Sequence, residues 1–130
     1  LNVNIDDLAS AIVSELQDYT QKVTDNVKEK VDIVSQEVNE EIKRRVTFNQ
    51  PTGKYVKSFR IKKAYEDRYN KRNTWHVVNG EYGLTHLLER GHALKNGGRT
   101  RAFPHIKYGE ELAKRLMVEL SKEAIEDAGR

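Results

Sequence analysis

"SFRIKKAYEDRYNKRNTWHVVN", residues 58–79, decides the fold class, because here the apolar spacing changes from helical to extended. In "SFRIKKAYE" the side chains of Phe59, Ile61 and Tyr65 alternate with Arg60, Lys62 and Glu66, which predicts a strand with one wet face. "RNTWHVVN" is rich in β-forming residues and sets Trp75 and Val77 on one side, predicting a second strand. The polar "DRYNK", residues 67–71, joins them as a turn, so the pair reads as an antiparallel hairpin.

Upstream the period is helical. No Gly or Pro occurs from Ile5 to Gln50, and apolar residues fall at Ile5, Leu8, Ile12, Leu16, Tyr19, Val23, Val27, Val31, Val34, Val38, Ile42 and Val46. The mean step is about 3.7 residues, nearer the eleven-residue repeat than the heptad, so the stripe belongs to a nearly straight helix. Asn4 or Asp6 is positioned to cap its start, and Arg44 and Arg45 suit the dipole at its end. Such a helix is about 60 Å long. A compact domain of this chain length spans only about 30–35 Å. The helix of residues 1–47 therefore either protrudes for assembly or breaks near "TDN", residues 24–26. Its valines are poor helix formers and need packing to support them. A protruding apolar stripe needs a partner, so Val27, Val34 and Val38 are expected at a subunit or partner interface.

"FNQPTG", residues 48–53, breaks the helix before the hairpin. Beyond the hairpin, "LTHLLERG", 84–91, predicts a short helix stopped by Gly91, and "GHALKNGGRTRAF" a loop with a possible third strand at "RTRAF". The segment from Pro104 to Ala128 predicts a last helix with Leu112, Leu116, Leu120 and Ala124 on one face. The order gives one α+β domain over residues 1–130, with N- and C-terminal helices packed on a small antiparallel sheet. No repeat or low-complexity segment interrupts it.

The chain is 37% hydrophobic and 33% charged, with a net charge of +3 and no cysteine, which excludes disulfides, thiolate metal sites and cysteine nucleophiles. No apolar run is long enough to span a bilayer, and "LNVNIDDLAS" lacks the pattern of a signal peptide. The charge is unevenly spread. Residues 1–42 hold three basic and ten acidic side chains, and residues 43–76 hold eleven basic and two acidic. Two unlike surfaces suit head-to-tail stacking or a polyanion partner; alternatively the two blocks neutralise each other within one fold.

Chemistry-bearing residues crowd into "THLLERGHALKNGGRTRAFPHI", residues 85–106. His86, Glu89 and His92 stand three apart, but the zinc-protease pattern is His-Glu-x-x-His, so structural histidines hydrogen-bonded to backbone or to Glu89 are the better reading. Gly97 and Gly98 beside arginines lack the rest of a phosphate-binding loop. No nucleophile elbow or Ser-His-Asp arrangement stands out. Thus no catalytic, cofactor-binding or metal-ligating residue is expected. Lys62, Lys63, Arg68, Lys71 and Arg72, interleaved with Tyr65, Tyr69 and Trp75, fit either a DNA-facing surface or an edge hairpin protected by charge. The loop of residues 94–101 has no large apolar anchor after Leu94 and three basic side chains, so it is expected to gain order only on meeting an acidic surface of an adjacent copy or partner.

The residues Thr52, Gly53, Tyr55 and Ser58, then Tyr82, Leu84, His86, Leu87, Leu88, Glu89, Gly91 and His92, then Gly97, Gly98 and Arg99, then Pro104, His105 and Ile106, carry a resemblance. Over about residues 40–115 the chain resembles the small neck and tail-component proteins of long-tailed bacteriophages and prophages, known as head–tail joining or tail completion proteins. Tyr55 and Phe59 stand where smaller aliphatic residues are common, a difference expected to alter packing only. The resemblance implies a structural virion protein at the neck or tail top, made in the host cytoplasm, and not an enzyme. It implies a homo-oligomeric ring that meets a connector, tail terminator or tail tube, with possible contact to passing DNA, no membrane and no cofactor. His86, Glu89, Gly91, His92, Gly97, Gly98, Pro104 and His105 would then form a structural corner, and Leu94, Arg99 and Arg101 would join the interface. The alternatives are a nucleic-acid-binding module using the hairpin and, behind it, a metal-dependent hydrolase.

Overall fold

The computed structural model describes residues 5–47, 53–78, 80 and 82–130. Thr52 and most of the loop before it lie outside these residues. The elements are α1 (Ile5–Arg44), α2 (Lys54–Lys57), β1 (Phe59–Glu66), β2 (Lys71–Val77), α3 (Tyr82–Arg90) and α4 (Ile106–Ala128). This is the expected α+β arrangement, with long helices at both ends packed on a two-stranded antiparallel sheet.

Helix α1 is unbroken through residues 24–26 and forms the spine. The side chain of Asn26 donates to the Ala124 carbonyl (3.2 Å), Lys30 pairs with Glu123 (3.5 Å), and Ile42 lies against Gly109. Helix α4 therefore runs antiparallel to α1. Its buried residues are Gly109, Ala124 and Ala128, small side chains that let two backbones approach. A Cβ on Gly109 would stand 2.6 Å from Cγ1 of the buried Ile42, so only glycine fits that crossing.

The hairpin lies along another side of α1. Lys71 pairs with Asp32 (2.7 Å), Asn73 donates to Asp32 and Ser35, and the Trp75 indole donates to Asn39 (3.1 Å). Ile61 sits opposite Trp75 and Phe59 opposite Val77, as the alternation requires. The pattern fails after Lys63. A register shift between Lys63 and Tyr65 turns Tyr65 out to solvent and brings Glu66 inward to Lys28 (3.3 Å), the reverse of the expected faces. A bulge inserts one residue into one strand and so exchanges its faces.

The core gathers at the C-terminal end of α1, where Ile42, Tyr55, Phe59 and Val77 are buried and Val38, Val46, Val56, Trp75 and Leu88 pack around them. Tyr55, Phe59 and Trp75 form a chain of edge-on rings with centroids 5.0 and 4.8 Å apart. The one-turn α2, which the sequence does not announce, starts at Gly53 in the left-handed region (φ 64°) and carries Tyr55 into this core. The anticipated third strand is absent from the described residues; a single bridge joins Ala93 to Arg99 instead.

Asp67 builds the hairpin tip. Its carboxylate accepts from the Tyr65 hydroxyl (2.5 Å), the Tyr69 and Asn70 backbone N–H groups and the Asn70 amide. The Tyr65 hydroxyl first, then Asn70 and the Tyr69 amide, hold its pKa down from 3.8 to about 2. A depressed carboxylate stabilises above its unfolded pKa and loses that contribution as pH falls through the folded value. The tip should therefore hold at pH 4 and loosen toward pH 2, with the protection of the Asn70 amide, its exchange relative to the unfolded chain at the same pH, falling over that window. Asp67→Ala should show the low protection throughout, with the rest of the fold unchanged.

Candidate functional site

Two regions concentrate functional side chains: the corner between α3 and α4, and the N-terminal half of α1.

At the corner, α4 begins with His105, whose side chain makes no capping bond, so the helix arrives without an acceptor of its own. Glu89 on α3 supplies it. Its Oε1 accepts from the backbone N–H groups of His105 (2.9 Å) and Ile106 (3.0 Å), and its Oε2 from that of Lys107 (3.1 Å). Burial pushes the Glu89 carboxyl up, but these three donors, with help from His105, outweigh it and leave the pKa below the ordinary value. His105 is fully buried. Its Nδ1 faces the Phe103 carbonyl (2.8 Å) and Glu89 Oε1 (3.1 Å), both acceptors, so Nδ1 carries the proton. Nε2 then accepts from the Tyr55 hydroxyl (2.7 Å), beside which lies the Thr85 hydroxyl (3.3 Å). Burial holds the Tyr55 phenol above its usual pKa and keeps it a donor, although the Thr85 contact opposes the shift.

The histidines do not converge. His92 bonds to Thr100 through its backbone N–H (2.9 Å) and Nδ1 (3.1 Å), and not to Glu89. His86 is exposed on a cleft of about 410 Å³ that Glu89, Pro104 and Lys107 also line. Among the described residues no cluster of His, Asp and Glu could hold a metal ion, and no helix is long and apolar enough to cross a membrane. Gly91 ends α3 at φ 70°. Gly97 takes φ 89° in a turn closed by Leu94 N–H to Gly98 O (2.7 Å) and Gly97 N–H to Leu94 O (3.1 Å). The segment of residues 94–101, expected to lack anchors, is thus a closed turn, with Lys95, Arg99 and Arg101 exposed on it.

In the N-terminal half of α1, residues 7–20 are all exposed. Leu8, Ile12, Leu16 and Tyr19 are 51, 52, 60 and 41% accessible. They continue the stripe that, from Val23 onward, α4 and the hairpin cover. Val13 and Leu16 share a shallow pocket with Tyr69 of the hairpin tip, and Glu15 and Tyr19 a groove with the end of α4. This arm extends about 12 Å beyond these contacts and is helical because the packed half has already nucleated the helix. Of the expected interface residues, Val34 is corrected: its side chain is covered by the chain's own fold. Val34 is buried, and it lines an open cleft of about 210 Å³ with Val38, Trp75, Ala113 and Met117, between α1, the hairpin and α4. Val27 and Val38 are half-buried. Periodicity identifies the apolar face but not how far along it cover extends.

The hairpin cations divide. Lys63 pairs with Glu66 (3.3 Å) and Lys71 with Asp32, while Arg68 bonds Gln21 (3.1 Å) and lies over the Tyr69 ring. Lys62 and Arg72 are exposed. The acidic and basic blocks therefore neutralise each other along the middle of α1 and at its C-terminal end, where Glu40 and Glu41 pair with Lys43, Arg44 and Arg45. Among the described residues no cation pairs with Asp7, Glu15 or Asp18 on the arm, and no carboxylate pairs with Lys95, Arg99 or Arg101.

No protein-family model, curated protein or solved structure matches the chain.

Proposed function

We propose that the chain is a structural subunit of the neck or tail top of a long-tailed bacteriophage or prophage, working by assembly and not by catalysis. The observation that carries this reading is the arm: four large apolar side chains held in register and exposed along one helix. Such a stripe is an assembly surface in waiting, and covering it contributes about 1 kcal/mol per side chain. The corner residues agree with it. Glu89, Gly91, His92, Gly97 and His105 shape the junction between α3, the turn and α4 through their bonds and backbone conformations. A ring of such subunits would meet a connector, tail terminator or tail tube through its two faces, and Lys62 and Arg72 are available to DNA passing nearby.

A second reading, a nucleic-acid-binding module, draws on the same exposed Lys62 and Arg72, but three of its five proposed cations are already engaged on the protein. Mass spectrometry of particles purified from the encoding phage or induced prophage separates the two. The structural reading expects the chain as a stoichiometric component, and its deletion should leave filled heads and tails unjoined or unfinished. Absence from particles, with normal virions from the deletion, overturns it.

A further inference from the structure

Where the arm leaves the body, it forms an open groove of about 630 Å³ with the end of α4. Glu15, Asp18 and Asp25 line the groove with Tyr19; its cations are Lys22 and Arg130, and Arg130 is turned toward Asp127 (3.6 Å). The Gly97–Gly98 turn has the opposite character. It is convex and exposed, and carries Lys95, Arg99 and Arg101 without a carboxylate partner among the described residues, beside Leu94 at 41% exposure.

We infer that this groove receives the Gly97–Gly98 turn of a second copy of the chain, the cations meeting Glu15 and Asp18 while Leu94 lies against Tyr19. Shape and charge both favour this occupant. The two surfaces of one chain cannot meet each other: the turn leads into the start of α4 and the groove lies at its end, 23 residues later, about 35 Å away. Arm-to-arm pairing is disfavoured, because residues 5–20 hold four carboxylates and no cation. A groove and a turn are unlike surfaces, so the contact is head to tail and repeats around a ring. The inference rests on the assembly reading and specifies its contact.

The chain has no cysteine, so disulfide trapping is clean. Purified Asp18→Cys protein mixed with Lys95→Cys protein should give a cross-linked heterodimer, and the double variant a ladder of multimers. Each single variant alone should stay uncross-linked. Arg99→Glu with Arg101→Glu should weaken self-association about tenfold, and Glu15→Lys with Asp18→Lys on the partner copy should restore it. Cross-linking of Asp18→Cys to itself, no cross-link in the mixture, or no rescue by the reversed charges overturns the contact. Those results leave the virion reading standing if the chain is found in particles. A positive cross-link in a protein absent from particles sinks the virion reading and keeps the contact.

Discussion

Gly91→Ala should lower the stability of the free subunit by about 3 kcal/mol, and its melting temperature by about 10 °C. Two independent terms add here. At φ 70° an alanine enters the left-handed region, which costs about 1–2 kcal/mol. Its Cβ would also stand 2.5 Å from the Thr100 carbonyl oxygen, a backbone atom with no rotamer to change. Relief requires the segment after the Gly97–Gly98 turn to move away, breaking the Thr100 N–H to His92 O bond (2.9 Å). Gly97→Ala is the control: it meets nothing within 4 Å and carries only the conformational strain. Differential scanning calorimetry of the two variants should separate them clearly. Equal losses would mean that close packing at Gly91 contributes nothing.

Glu89→Ala should cost about 2–4 kcal/mol, since it removes the acceptor for three backbone N–H groups at the head of α4 and the carboxylate beside buried His105. Glu89→Gln keeps one oxygen for His105 and Ile106 but turns an N–H₂ toward Lys107, so it should recover about half of the loss. The pH dependence follows from the lowered pKa. The carboxylate's contribution is complete above the usual glutamate value of 4.5 and disappears as pH falls through the lower folded value. Acid unfolding of the wild type should therefore narrow its stability advantage over Glu89→Gln. An advantage unchanged between pH 7 and pH 3 would exclude the carboxylate charge as its source.

The sequence made the large elements legible because their signals are long. Eleven apolar positions from Ile5 to Ile42 define the face of α1, and strand alternation places Phe59, Ile61, Trp75 and Val77 together. The bulge near Tyr65 was not legible, since nothing in "KKAYE" marks an extra residue. The role of Glu89 left a fainter trace. A helix that opens on Pro-His-Ile without Ser, Thr, Asp or Asn needs an acceptor from elsewhere, but only the fold shows that α3 provides it. The extent of cover along α1 was illegible for a related reason. Val34 and Leu16 share the stripe and the same apolar character, yet one is 4% exposed and the other 60%. The composition holds a clue: valines fill the covered half from Val23, where packing supports them, whereas Leu8, Ala9, Ala11 and Leu16 suit a helix standing alone.

If the arm is an assembly surface, its exposed apolar side chains have little part in the stability of the fold. Exposed substitutions shift stability by only about 0.5 kcal/mol, so Ile12→Asp with Leu16→Asp should leave the free subunit folded. The decisive measurement is the titre of infectious particles when this double variant is supplied to a phage or prophage lacking its own copy. The expected titre is no higher than with no copy supplied, with heads and tails accumulating separately. A wild-type titre would contradict the assembly role of the arm.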